Sequence, residues 1–225
     1  MRRVIELVDT LITPSVEPPV TVDYAKRHLR SLSNREDDLI LGWILTAAEA
    51  LERETGRQLI TATRELWLDR FPDYATAPWT TDGSITGTRI VLPHPPLLDV
   101  VSVLYVSADG TLVPFSDGAS PETLSYQVKA PAGPFAERGW IEPVYGAAWP
   151  IARAESGAVR IQYRCGYGST ADDIPNVARQ LICWAVACFD QNRGPGEKLY
   201  DDMPAGVSMM FDEFKYSAFP GGPLR

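Results

Sequence analysis

Two histidines and three cysteines in 225 residues leave this chain poorly supplied for metal or thiol chemistry. Structural zinc sites take four Cys or His ligands at close spacing, and no Cys-x-x-Cys pair is present. Cys165, Cys183 and Cys188 are an odd number, and two of them sit in an apolar helical run. They read as buried, reduced thiols of a reducing cytoplasm rather than as a disulfide framework. Long apolar runs are also missing: residues 181–189 make about half of the roughly 20 residues a spanning helix needs. Carboxylates interrupt the start of the chain at Glu6 and Asp9, so no secretory signal is read there and a soluble protein is expected. Positive charge is in deficit. The formal net charge is −8, which repels phosphate backbones and anionic lipid, so tight nucleic-acid or membrane binding is not expected. A wall of that sign would still let a duplex slide past without sticking.

Catalytic patterns are equally scarce. No Gly-x-Ser-x-Gly elbow supports a nucleophilic serine. His28, between Arg27 and Leu29, and His94, in a proline-rich corner, have no Asp, Cys or second His close in sequence and read as structural. Gly166-Tyr167-Gly168-Ser169-Thr170 lacks the third glycine and the lysine of a phosphate-cradling loop, so it reads as a strand end turning into a capped helix. The acidic pairs Asp37-Asp38 and Asp172-Asp173 stand at helix starts, where the dipole explains them. Asp201-Asp202 has no calcium-loop spacing. No catalytic, metal-binding or cofactor-binding residue is assigned, and no enzyme is expected. The six tryptophans, spread over all parts, suit cores better than a sugar platform.

What is present is an ordered pattern of elements. Residues 1–20 read as an extended arm, held open by Pro14, Pro18 and Pro19. Thr21 is a plausible N-cap, followed by a stripe of Val22, Ala25, Leu29 and Leu32. Ser33-Asn34-Arg35-Glu36 has the form of a capping box. The helix behind it places Leu39, Ile40, Trp43, Ile44, Ala47 and Leu51 on one buried face and stops at Gly56. From residue 61 the apolar period changes to two, with strands at 61–70, 89–92, 100–107, 125–129, 139–144 and 158–163. Asp109-Gly110 is the strongest hairpin signal. Pro93-His94-Pro95-Pro96 must be a corner or edge. Asp172 and Asp173 then cap the last helix, with Pro175 in its first turn. That helix is apolar on two faces, one bearing Ala178, Ile182, Val186 and Phe189. Such a helix is either central to its own bundle or packed against a neighbouring chain, and its short length favours the neighbour.

The fold class is therefore α+β, with a small helical bundle built from the N- and C-terminal parts and an antiparallel sandwich or barrel-like module inserted between them. The expected division is an arm at 1–20, a helical core at 21–60 plus 170–195, the β module at 61–169 and a tail at 196–225. That tail is rich in Met and aromatic residues, which favours docking onto a partner, with packing back on its own helices as the alternative.

One resemblance joins these segments. Val20 to Arg30, Glu54-Thr55-Gly56-Arg57, and Leu92 to Leu97 with Val100 and Ser102-Val103 come first. Trp149-Pro150 with Ala152-Arg153, Gly157-Ala158-Val159, Gly166-Tyr167-Gly168, and Ile174-Pro175 through Asn192-Arg193 follow. In order and spacing over residues 20–215, the set resembles the head–tail connector family of long-tailed bacteriophages, also called adaptor or head-completion proteins, in the variant with a β insertion. The resemblance implies a non-enzymatic ring of about twelve copies in the virion neck, assembled in the host cytoplasm. Its implied partners are the portal protein, sister copies, and a downstream connector, stopper or tail protein, with genomic DNA passing through the lumen unbound. It also implies portal contact through Met203, Pro204, Val207, Met209, Met210, Phe211 and Phe214, and packing between subunits through the face at Ala178. Loss of residues 200–225 is then expected to leave a folded chain that no longer joins portals. The chain runs past the family's usual end, through Pro220-Gly221-Gly222-Pro223. A carbohydrate- or receptor-binding tail module built on the β insertion is the alternative reading.

Overall fold

In the computed structural model, the described residues are 7–14, 17–30, 33–72, 89–115, 126–191 and 204–215. The fold is α+β and divides into two compact units. A helical unit takes residues 15–61, 133–135 and 166–225, and a β unit takes 1–14, 62–132 and 136–165.

The helical unit contains α1 (Val22–Leu29), α2 (Asp37–Thr55), α3 (Asn176–Gln191) and α4 (Ala205–Phe214). Thr21 caps α1 by accepting the Tyr24 N–H at 3.3 Å. Gly56 ends α2 in the left-handed region at φ 68°, its N–H reaching the Glu52 carbonyl at 2.9 Å. The capping box expected at Ser33 does not form. Ser33 Oγ takes the Arg35 N–H, and α2 starts later, behind Glu36, which makes no side-chain cap. Its first turn is held from outside instead, by the buried Lys26 ammonium 2.9 Å from Asp37.

The two-faced helix α3 lies at the centre of this bundle, packed on α1, α2 and α4. Both of its apolar faces are used there: Ala178, Leu181, Ile182, Cys183, Ala185 and Val186 are all buried. Ile40, Ile44, Ala47 and Leu51 of α2 share this core. Leu39, expected on that same face, is exposed.

The chain leaves the helical unit after Thr61 and returns at Gly166. An isolated parallel bridge joins Ile60 to Gly168, and the Thr61 N–H reaches the Gly168 carbonyl at 2.8 Å. Gly166 has φ 126°, and a Cβ there would lie 2.7 Å from Thr61 N and 2.8 Å from the Ile60 carbonyl carbon. Backbone cannot yield as a side chain does. Gly166→Ala is expected to destabilise the helical unit by about 2–4 kcal/mol, read as a lower urea midpoint.

The β unit holds two antiparallel sheets. The larger has the order β1 (Leu7–Thr13), β2 (Ala62–Leu68), β8 (Val159–Cys165), β4 (Leu97–Val106), β5 (Leu112–Pro114). The smaller has β3 (Ile90–Val91), β7 (Trp140–Pro143), β6 (Tyr126–Lys129). Leu66, Val103, Ile161 and Tyr163 of the larger sheet and Ile90, Ile141 and Tyr126 of the smaller share one buried core, as in a sandwich. Phe71 closes one part of it, stacked on Trp149 at 4.8 Å between centroids. The β4–β5 turn uses Asp109-Gly110: the Asp109 carboxylate accepts the Thr111 N–H at 2.9 Å, and Gly110 takes φ 90°. The proline corner falls between β3 and β4, with a cis Pro95–Pro96 bond and His94 at φ 58°.

Residues 7–13 are not part of a free arm. They form the edge strand β1, paired with β2 from Leu7↔Leu68 to Thr13↔Thr63. Among the described residues, no helix is long and apolar enough to cross a membrane.

Candidate functional site

The C-terminal helix α4 is the element on which the sequence places most of its expected contacts, and it is anchored rather than loose. Phe214 is fully buried and Phe211 nearly so, both in the core shared by α2 and α3. Phe214 sits against Tyr167 and Phe135, with ring centroids at 6.2 and 6.4 Å. Arg57, itself buried, places its guanidinium 5.0 Å from the Phe214 ring centroid and donates through Nε to the Phe214 carbonyl at 2.6 Å. Its NH1 donates to the Tyr167 hydroxyl at 3.1 Å, and that hydroxyl donates to the Pro134 carbonyl at 2.7 Å. Burial pushes the Tyr167 phenol up, against the opposing pull of Arg57. The latch is thus a cation held by an aromatic face, a carbonyl oxygen and a phenol hydroxyl, an arrangement that fixes position and offers no nucleophile.

The residues expected to meet a portal separate into three groups. Met203 lies outside the described residues. Pro204 and Met209 face solvent, Met209 with 72% of its surface exposed. Val207 and Met210 are half-buried against the helical core. Phe211 and Phe214 fill that core, so in this arrangement they are not available to a partner. The face expected between subunits is likewise occupied: Ala178, Ile182 and Val186 are buried within one chain, and Phe189 is half-buried against the same core. The physical reason is the same for both sets. Helix α4 folds back onto α3 and supplies the apolar cover that a second copy was expected to give.

In the β unit one polar cluster is built from distant parts of the sequence. The carboxylate of Asp9 on β1 accepts from the Tyr163 hydroxyl at 2.8 Å and from Arg64 at 2.7 Å, and His94 Nε2 lies 3.0 Å from it. Burial alone would raise the Asp9 carboxyl. Hydrogen bonds from His94 and Tyr163, with the charge of Arg64, outweigh it and hold the group below the usual carboxylate range. Burial, followed by the nearby Asp9 charge, pushes the Tyr163 phenol far upward. A phenol so hard to ionise is a poor general acid or base, and both carboxylate oxygens are engaged. The cluster ties the edge strand to the sheet.

The remaining candidate chemistry resolves into structure. Asp173 accepts the Thr170 N–H and hydroxyl at 3.0 and 2.9 Å, forming a capping box on the short 3-10 turn Ala171–Asp173. Those hydrogen bonds hold its carboxyl below the usual range. A carboxylate therefore sits beside the glycine turn where a phosphate would need donors, and Asp173 caps that turn rather than α3 itself. All three cysteines are free thiols, and burial raises Cys183 to about 11. His28 is exposed on α1. Among the described residues no group of three metal-ligating side chains converges. Trp149 is stacked on Phe71, and Trp67 and Trp140 lie under Arg160 and Arg89, at 4.2 and 4.9 Å, so these three rings form no bare sugar platform.

Sequence reasoning missed Asp9, the Arg57–Tyr167 latch and the outward face of α2. The first two depend on contacts between residues 55 to 157 positions apart and leave no local signal. The third was readable, because Gly42 interrupts the uncharged run at 39–48 of that helix.

No protein-family model matches the chain, and no curated protein matches it. Solved structures do. A chain from the virion of a native gene transfer agent (GTA) particle is 21% identical, with a TM-score of 0.70, covering 96% of this chain and 98% of that one. A chain from the neck of an empty GTA particle computed with C6 symmetry gives 20% and 0.70 over the same shares. A chain from the neck of a native GTA particle computed with C12 symmetry gives 20% and 0.67. The likeness spans both units, and at these identities what is shared is the fold.

Proposed function

We propose that this chain is a structural component of the neck of a phage-like particle, a head–tail connector that works by assembly rather than catalysis. The observation that carries the reading is the likeness over 96% of the chain to proteins of gene transfer agent particles, two of them described as neck structures. A likeness of that extent includes the helical unit and the inserted β unit together. The latch and the buried carboxylate cluster add to it, since both stiffen the chain and neither offers a reactive group.

In this reading about twelve copies form a ring beneath the portal. The ring presents a surface to the next connector or the tail, and DNA passes through its lumen without specific binding. The net charge of −8 suits such a lumen. Portal contact falls to the outward part of α4 and its start, at Pro204 and Met209 with the flanks of Val207 and Met210. Phe211 and Phe214 hold that helix from within. Each copy contributes few apolar contacts, so one copy alone binds weakly and a ring binds persistently.

Particles made with and without the chain test this directly. Electron microscopy of the complete particles is expected to place the chain in a ring at the vertex, and its loss to yield filled heads without tails. Tailed particles assembled in its absence would overturn the proposal.

A further inference from the structure

The outward face of α2 has no explanation within one copy. Asp38, Gly42, Leu45 and Glu49, with Leu39 and Thr46 beside them, fall within an arc of about 120° on that helix. All six are exposed, Leu39 at 44% and Leu45 at 45%. A Cβ on Gly42 would meet nothing within 4 Å. Glycine in a helix interior is destabilising relative to alanine, and here neither a positive φ nor a crowded neighbour requires it. A small residue flanked by two exposed leucines is what a second helix needs in order to approach the backbone closely.

Charge identifies the occupant. Copies with a net charge of −8 repel one another except where their surfaces are neutral or complementary. Residues 39–48 carry no charge at all, and Asp38 and Glu49 bracket them, about 16 Å apart along the helix. The outward face of α1 has the opposite character. Arg27 and His28 are exposed at its C-terminal end with the capping residue Arg30, Asp23 lies exposed one turn earlier, and Arg27 is steadied over the Tyr24 ring at 5.6 Å. Arginine stems cover apolar surface while their heads reach carboxylates. Helices α1 and α2 pack on each other and on α3, so their outer faces point in different directions. Two different, complementary patches are what a closed ring requires.

We propose that α1 of one copy docks on the Leu39–Gly42–Leu45 face of α2 in the next, with Arg27 and Arg30 meeting Asp38 and Glu49. The proposal rests on the ring reading above and moves the contact between copies from α3, whose faces are filled, to α2. The test uses the full chain, followed by sedimentation over a range of concentrations and by occupancy on tailless heads. The wild type is expected to associate, and Gly42→Trp to abolish association while keeping its helical circular dichroism.

Gly42→Ala is expected to melt at a slightly higher temperature yet associate at least about tenfold more weakly. The double variant R27E/R30E is expected to lose association and to regain it when combined in one mixture with D38R/E49R. Normal association of Gly42→Trp would overturn the proposed face. Failure of the charge exchange to restore association would overturn α1 as its occupant. A wild type that neither self-associates nor occupies heads would overturn the ring reading itself.

Discussion

Replacing Phe214 with alanine is expected to destabilise the helical unit by about 3–5 kcal/mol, whereas Met209→Ala, at an exposed position on the same helix, leaves its unfolding midpoint essentially unchanged. Phe214 is fully buried. Its removal empties the space between Tyr167, Phe135 and the Arg57 guanidinium. The cavity is not free to collapse, because Arg57 is also hydrogen-bonded to the backbone carbonyl of residue 214 and to Tyr167. A domain typically retains only 5–15 kcal/mol in total, so the loss is a large share of its stability. Urea melts of the two variants provide the measurement. Equal midpoints would mean that the C-terminal helix is not docked in solution.

The same geometry revises the expectation for a C-terminal truncation. Read from the sequence, residues 200–225 are a detachable docking tail. With Phe211 and Phe214 in the core, their deletion exposes the apolar surface of α3 that they cover. The truncated chain is expected to unfold at lower denaturant and to aggregate, and a failure to join portals would not by itself locate the binding surface. Substitutions at Met209 and Pro204 test that surface without disturbing the latch.

Asp9→Asn is expected to destabilise the β unit by about 3 kcal/mol at neutral pH, because it leaves the part-buried Arg64 without its carboxylate. The sign of the pH dependence follows from the depressed carboxyl of Asp9. Its contribution is fully present above the unfolded carboxylate value and is lost as pH falls through the lower folded value. The gap between wild type and variant should therefore be widest near neutrality and close in strong acid. A gap that stayed constant down to strong acid would show that the ionised carboxylate is not the source of the effect.

Local chemistry made much of this fold legible. Thr21 and Gly56 mark helix ends because a side-chain acceptor and a left-handed backbone act within four residues. Asp109-Gly110 fixes its hairpin for the same reason. The period-two segments found their strands, since alternation survives whatever sheet receives it. Three features were out of reach or misread. Edge strand β1 pairs with residues 50 to 61 positions away, and the prolines that follow it made an arm the simpler reading. The Ser33 box was overridden by Lys26 holding Asp37, a contact between elements. The two-faced helix α3 admitted a partner copy or a central place in its own bundle, and α4 decided it by folding back. Only the outward face of α2 lay open to a sequence reading: Leu39 fits the buried stripe by spacing alone, and the unexplained Gly42 one turn later is the warning that it does not belong there.

The position of β8 has a consequence for how the polypeptide matures on the ribosome. This strand separates β2 from β4 in the larger sheet, and it is among the last segments of its unit to be synthesised. Until it emerges, β1–β2 and β4–β5 are two separate antiparallel pairs with open inner edges, and α1 and α2, made between β1 and β2, still await α3. Neither unit can close before the final third of translation, so nascent chains should depend on chaperone shielding for most of their synthesis.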